Sequence, residues 1–233
     1  MSKIYQALSR HKSESKNLSD SADTSRSPIS RALDSIYPSI YRLVQQAGHG
    51  LVLHFVAPTP GEGATTISGE FSRVASRVAD ASVLLLDADR IQLTSASLFG
   101  CPTDFGIFDH VKAGKQLDDK IVVSTNSAGL HAGVLCGVNS PPLSRNAVPA
   151  IYQQFRERYQ ITVVDCPSVS SDRYFELSPE AADGVILIVQ AEKSRPEIIR
   201  HAKTLIENAG GNLIGSILNQ RKMYIPNFLY RLL

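Results

Sequence analysis

The chain has 233 residues, 43% hydrophobic and 20% charged, enough to bury a substantial core as one globular domain with appendages. A net charge of +2 with no dense Lys/Arg run argues against a protein that neutralises many nucleic-acid phosphates, so no nucleic-acid partner is expected. Cys101, Cys136 and Cys166 are widely spaced and lack Cys-x-x-Cys or Cys/His patterns, which argues against a thiolate metal site and for reduced, packed thiols.

The opening Met1-Ser2-Lys3-Ile4-Tyr5-Gln6-Ala7-Leu8 lacks the long apolar core of a secretory signal. No later apolar run approaches the ~20 residues that span a bilayer. The chain is therefore expected in the cytoplasm, with any association at the inner membrane made through a partner. Ile4, Ala7 and Leu8 have the spacing to line one face of an expected short helix, and residues 12–31 are rich in Ser, Asp, Lys and Asn with little to bury, as expected of a flexible tether. Apolar periodicity returns in residues 32–46 at Leu33, Ile36, Ile40, Leu43 and Val44, interrupted by Pro38. That pattern predicts two short helices or one kinked helix. The domain boundary is set near residue 31, with a flexible segment over 1–31 and an α/β domain over 32–233.

From residue 51 the pattern alternates. Strands are predicted at 51–57, 83–86, 121–124, 161–164, 185–189 and 213–218, and helices at 65–78, 106–113, 148–159 and 195–208. Strands that stay apolar without polar alternation belong to a parallel sheet covered on both faces. With right-handed crossovers this gives a doubly wound, mostly parallel α/β sheet, whose ligands sit at the carboxyl ends of the strands.

Between the first strand and its helix lies Ala57-Pro58-Thr59-Pro60-Gly61-Glu62-Gly63-Ala64-Thr65-Thr66, which reads as a phosphate-binding loop. A loop so placed aims backbone amides and a helix N-terminus at an anion. Its lysine position holds Ala64. Two strands end in carboxylates, Leu84-Leu85-Leu86-Asp87-Ala88-Asp89 and Thr162-Val163-Val164-Asp165-Cys166-Pro167. One strand-end Asp is more often a turn residue than a ligand. Two of them beside a glycine loop are harder to dismiss, because parallel strands open onto one edge and bring Asp87, Asp89 and Asp165 toward Thr65. Such an oxygen cluster suits Mg²⁺, which needs only one or two carboxylates beside substrate phosphates. His54 lies within the first strand and reads as a core histidine. The other histidines have no paired Ser or Cys that would suggest triad chemistry.

These motifs, with the ending Ile217-Leu218-Asn219, Tyr224-Ile225-Pro226 and Leu229-Tyr230, resemble the cytoplasmic P-loop domain of bacterial tyrosine kinases (BY-kinases) of capsule and exopolysaccharide synthesis. The likeness reaches over nearly the whole chain, and the opening eight residues resemble the start of stand-alone kinase subunits. It implies that Pro60, Gly61, Glu62, Gly63, Ala64, Thr65 and Thr66 wrap the phosphates of ATP. It also implies that Thr65 and Asp165 hold Mg²⁺, that Asp87 and Asp89 contact metal or activate the attacking hydroxyl, and that Asn219 touches the base. The implied partner is a membrane polysaccharide co-polymerase, a chain-length determinant that would here be a separate polypeptide.

The chain departs from that family in four places. Ala64 replaces the loop lysine, and phosphoryl transfer depends on cations that offset charge on the phosphate oxygens. Arg90, Lys112 and Lys115 are candidate substitutes. Asp89 and Arg90 are adjacent where the family has one more residue between them. The tail carries only Tyr224 and Tyr230, interspersed with apolar residues, where family kinases have a tyrosine cluster for autophosphorylation. The segment Ser39-Ile40-Tyr41-Arg42-Leu43-Val44-Gln45 keeps one Arg, Arg42, of the family's ring-assembly motif Glu-x-x-Arg-x-x-Arg, which puts self-association in question. Three readings follow: a degenerate kinase-like regulator of polymer assembly that binds nucleotide poorly or not at all, an active ATP-dependent tyrosine autokinase, and a partitioning or septum-positioning ATPase. Thr59, standing where such ATPases place an early lysine, counts against the third.

Overall fold

The computed structural model describes residues 28–79, 81–115, 121–141 and 143–220. The expected N-terminal helix, most of the tether and the tail tyrosines Tyr224 and Tyr230 lie outside them.

Helices α1 (Pro28–Asp34) and α2 (Tyr37–Ala47) come first. Pro38 sits in the first turn of α2, where a missing amide breaks no intrahelical bond, so the apolar stretch divides into two helices. Helix α1 crosses the boundary expected near residue 31. Ser30 and Leu33 are buried, and Arg77 Nη2 donates to Ser30 Oγ at 3.0 Å, so the packed domain reaches back to residue 30.

The chain then runs β1 (Leu51–Val56), α3 (Ala64–Ala79), β2 (Val83–Asp87), α4 (Thr94–Phe99), α5 (Ile107–Lys112), β3 (Val122–Ser124) and β4 (Leu130–Val134). It continues through α6 (Val148–Arg158), β5 (Ile161–Asp165), α7 (Arg173–Glu176), β6 (Gly184–Gln190), α8 (Pro196–Asn208) and β7 (Leu213–Asn219). The strands form one sheet in the order β3-β4-β2-β5-β1-β6-β7. Every neighbouring pair is parallel except β3 with β4. This is the doubly wound, mostly parallel α/β fold expected from the apolar strands. Strand β4 escaped the pattern because His131 and Gly133 interrupt its apolar run. Gly133 is at a crowded point, where an added Cβ would come within 3.3 Å of Ile121 O.

The period of two along each strand divides the core. Leu51, Leu53 and Phe55 of β1 face one layer with Phe71 and Val74 of α3 and with Tyr37, Ile40 and Val44 of α2. Val52 and Val56 face the other, with Tyr152 and Phe155 of α6 and Ala202 and Ile206 of α8. Burial on both faces is why β1, β2 and β5 read as mostly apolar runs without polar alternation.

His54 points into the second layer. Its Nε2 lies 2.8 Å from Tyr152 Oη, its ring meets Tyr152 and Tyr174 edge-on, and burial pushes its pKa down to about 3. It is the core histidine that its place in β1 predicts. All three cysteines are free and buried. Among the described residues no helix is long and apolar enough to cross a membrane.

Candidate functional site

The segment after β1 leaves the sheet between β5 and β6, the strands on either side of it. Its entry is fixed by the chain that follows β5: Val169 N donates to Ala57 O at 2.9 Å and Ser170 N to Pro58 O at 3.2 Å. Gly61 and Gly63 then take the left-handed conformation, with φ of +80° and +94°, which side chains with a Cβ resist. At Gly63 there is no room for one either, because an added Cβ would lie 2.2 Å from Asn219 Nδ2. The first turn of α3 closes with Ile67 N on Gly63 O at 3.0 Å. The amides ahead of it have no intrahelical acceptor, so they are available to an anion together with the positive end of a sixteen-residue helix.

Glu62 locks this loop from below. Its side chain is buried, with Oε1 accepting from Thr59 N at 3.1 Å and Thr59 Oγ1 at 2.6 Å. Its Oε2 accepts from Gln190 N at 3.0 Å, at the end of β6, and from the Ser194 hydroxyl. Burial works to raise the Glu62 pKa, but the hydrogen bonds from Ser194, Thr59 and Gln190 together outweigh it and the net shift is downward. Glu62 is thus an internal anion that ties the loop to the β6–α8 turn. Asn219, at the end of β7, adds a third tie, its Nδ2 donating to Glu62 O at 2.9 Å while its own carbonyl accepts from Ala191 N at 2.9 Å. The side chain expected to touch a base is here a strut of the loop.

The carboxylates of β2 and β5 do meet. Asp87 and Asp165 are register partners on adjacent strands, both almost fully buried. Burial pushes Asp165 up to about 6, opposed by the hydrogen bond that Ser95 Oγ donates to its Oδ2 at 2.6 Å, with the Thr65 and Ser68 hydroxyls also lowering it. Its Oδ1 has no hydrogen-bond partner, since Ser68 Oγ donates instead to Thr65 O at 3.0 Å. Burial pushes Asp87 up to about 7, offset by the Ala96 amide at 3.0 Å and raised further by Asp165. Asp89 is engaged elsewhere: its Oδ1 accepts from Ile91 N at 3.1 Å and pairs with the Arg173 guanidinium.

Two buried carboxylates with a free oxygen facing a hydroxyl-bearing helix N-terminus form a donor set that a hard cation would satisfy. Among the described residues no group of three or more His, Cys, Asp or Glu is arranged to hold a metal unaided. Sequence reasoning missed Ser68, Ser95 and Ser194. Of the candidate substitute cations, Arg90 faces Glu176 at 3.9 Å and lines a shallow cleft with Cys136, Leu143 and Arg173, not the loop.

No family model matches the chain. It is 23% identical over 142 residues to CapB of Staphylococcus aureus, a match that covers 59% of the chain and 61% of CapB. It is 23% identical over 169 residues to the tyrosine-protein kinase YwqD of Bacillus subtilis, covering 70% of each. The chain spans from about a quarter to three fifths of the first curated relatives it matches. Among solved structures it resembles the kinase domain of the Escherichia coli tyrosine kinase ETK, with a TM-score of 0.70 at 19% identity over 84% of the chain and 79% of that domain. It also resembles the septum site-determining protein MinD of Pyrococcus horikoshii, with a TM-score of 0.61 at 17% identity over 78% of the chain and 76% of MinD. Both structures support the P-loop α/β fold.

Proposed function

We infer, on the premise that the chain belongs to the bacterial tyrosine-kinase (BY-kinase) family, that it is a component of capsule or exopolysaccharide assembly that binds a magnesium nucleotide while having lost most phosphoryl transfer. The observation that carries this reading is the intact cradle around Ala64: left-handed Gly61 and Gly63, free amides at the start of α3, and the orphaned Asp165 Oδ1. A bound nucleotide would supply the transferable phosphoryl group and the Mg²⁺ charge. The chain's own residues do the holding: the amides of 61–66 take phosphate oxygens, Thr65 and Asp165 take the cation, and Asp87 lies beside them. Asp89 acts on an incoming hydroxyl only if its ion pair with Arg173 opens. With no ammonium at position 64, charge building on the transferring group goes uncompensated there, a loss comparable to removing an oriented donor and worth about a hundredfold in rate or more.

A protein that holds nucleotide without transferring phosphate efficiently serves as a regulator, its shape set by occupancy and read by a membrane chain-length determinant. The domain that does this comprises residues 32–233 together with α1. The septum-positioning alternative draws on fold likeness alone, and Thr59 stands against it.

The test is thermal unfolding with and without Mg·ADP, followed by incubation with Mg·ATP and a phosphotyrosine readout. Nucleotide at tenfold excess over its Kd is expected to add about 1.4 kcal/mol to stability. Phosphotyrosine should be faint in the wild type and rise about a hundredfold in Ala64→Lys. No thermal shift at millimolar nucleotide would overturn the binding claim. Wild-type phosphorylation equal to that of Ala64→Lys would overturn the claim of lost transfer.

A further inference from the structure

We propose that Lys193, in the turn between β6 and α8, supplies the phosphate-facing positive charge that the loop lacks at Ala64. This role rests on the nucleotide-binding reading of the same site. The first support is position: Lys193 Nζ lies 3.8 Å from where a Cβ on Gly61 would stand, so the ammonium hangs over the glycine that opens the cradle.

The second support is anchoring. The turn is tied to the loop on both sides of Lys193, through Gln190 N and the Ser194 hydroxyl on the Glu62 carboxylate. Ser194 N closes the turn on Gln190 O at 3.1 Å, and Ala191 N bonds Asn219 O, the residue whose amide supports the loop from the other side. A flexible lysine on a turn fixed in this way keeps its reach to the loop without being rigid itself.

The third support is need and availability. The Lys193 side chain is exposed and forms no ion pair among the described residues, so its charge is free for a ligand. The first-turn amides of α3 below it have no intrahelical acceptor, and Asp165, nine-tenths buried or more, carries an unpartnered oxygen beside the same helix end. An anion bridging those amides would meet Lys193 from one side and a cation held at Asp165 from the other. An ammonium arriving from a neighbouring turn compensates ground-state phosphate charge. It does not reproduce the geometry of a lysine at position 64, which agrees with retained binding and slow transfer.

The experiment is calorimetric titration of the full chain with Mg·ADP, comparing wild type with Lys193→Met, Lys193→Arg, Ala64→Lys and the double variant Ala64→Lys/Lys193→Met. Losing one charged hydrogen-bond donor should weaken binding about tenfold or more in Lys193→Met. The salt dependence should become shallower, and Lys193→Arg should largely keep the affinity. With Ala64→Lys present, the Lys193→Met effect should shrink to less than about threefold, because the two ammoniums serve one anion. Lys193 is exposed, so the variants should keep the wild-type fold, and matched melting temperatures without nucleotide check that. Wild-type binding left unchanged by Lys193→Met would overturn the Lys193 assignment and leave the nucleotide site standing. Absence of binding in both the wild type and Ala64→Lys would overturn the site and the Lys193 role with it.

Discussion

Glu62→Ala is expected to lower the stability of the protein by about 3–5 kcal/mol, because it strands four donors at once, the half-buried Thr59 and Gln190 amides and two hydroxyls that now share one carboxylate. For a domain of this size that is roughly 8–15 °C in melting temperature. Mg·ADP binding should disappear in the same variant at temperatures where the protein is still folded, since the loop, the β6–α8 turn and Asn219 are held together through this residue. Glu62→Gln keeps the shape but turns one accepting end into a donor that faces other donors, so its loss should be roughly half as large. Because the folded-state pKa of Glu62 lies below its ordinary value, its contribution is present above the ordinary carboxylate range and fades as the pH falls through the folded value. A melting temperature within about 2 °C of wild type for Glu62→Ala would contradict the role of an internal anion.

The second large effect belongs to His54. Its pKa is pushed down to about 3, so between that value and the ordinary one the unfolded chain binds a proton that the folded protein refuses. The stability it contributes is complete above pH 6.5 and is lost on acidification. From pH 7 to pH 4.5 the wild type should lose about 2–3 kcal/mol relative to His54→Phe, measured by chemical denaturation at each pH. Asp87 and Asp165 pull the other way over the same range, since carboxyls with raised pKa values stabilise the folded state as the pH falls. They are present in both proteins and cancel in the difference. Phe also removes the bond to Tyr152 Oη, whose other contact is Leu177 O at 3.3 Å, so a pH-independent offset of about 1 kcal/mol is expected as well. Parallel pH profiles for the two proteins would show that His54 is already protonated or hydrated in the fold.

Much of this architecture was legible in the residues because burial on both faces writes itself into β1, β2, β5 and β6 as mostly apolar runs without polar alternation. Those runs place the loop and the two aspartates at one edge without further information. Strand β4 was not legible, since its pairing with β2 is non-local and Gly133 and His131 give it neither alternation nor continuity. Helices α4 and α7 are only a turn or so long, too short for periodicity to register. In the site, the convergence of Asp87 with Asp165 followed from the parallel sheet, whereas the capture of Asp89 by Arg173 depends on where a side chain 84 residues away comes to rest. Lys193 was within reach of the same rule that found the aspartates. The turn after β6 opens on the same edge as those after β1, β2 and β5, and a lysine there is as well placed by topology as any strand-end carboxylate. Only its approach to Gly61 distinguishes it from an ordinary surface lysine, and that approach depends on Glu62 pinning the turn.

The claim on which the rest depends is that the segment from Gly61 to Thr66 still receives a nucleotide's phosphates. A crystal structure of the protein grown with saturating Mg·ADP tests it most directly. The expected map shows the diphosphate on the amides at the start of α3, Mg²⁺ beside Thr65 and Asp165 Oδ1, and Lys193 Nζ on a phosphate oxygen. A loop without nucleotide at saturating concentration, or a nucleotide bound away from Gly61, would contradict it.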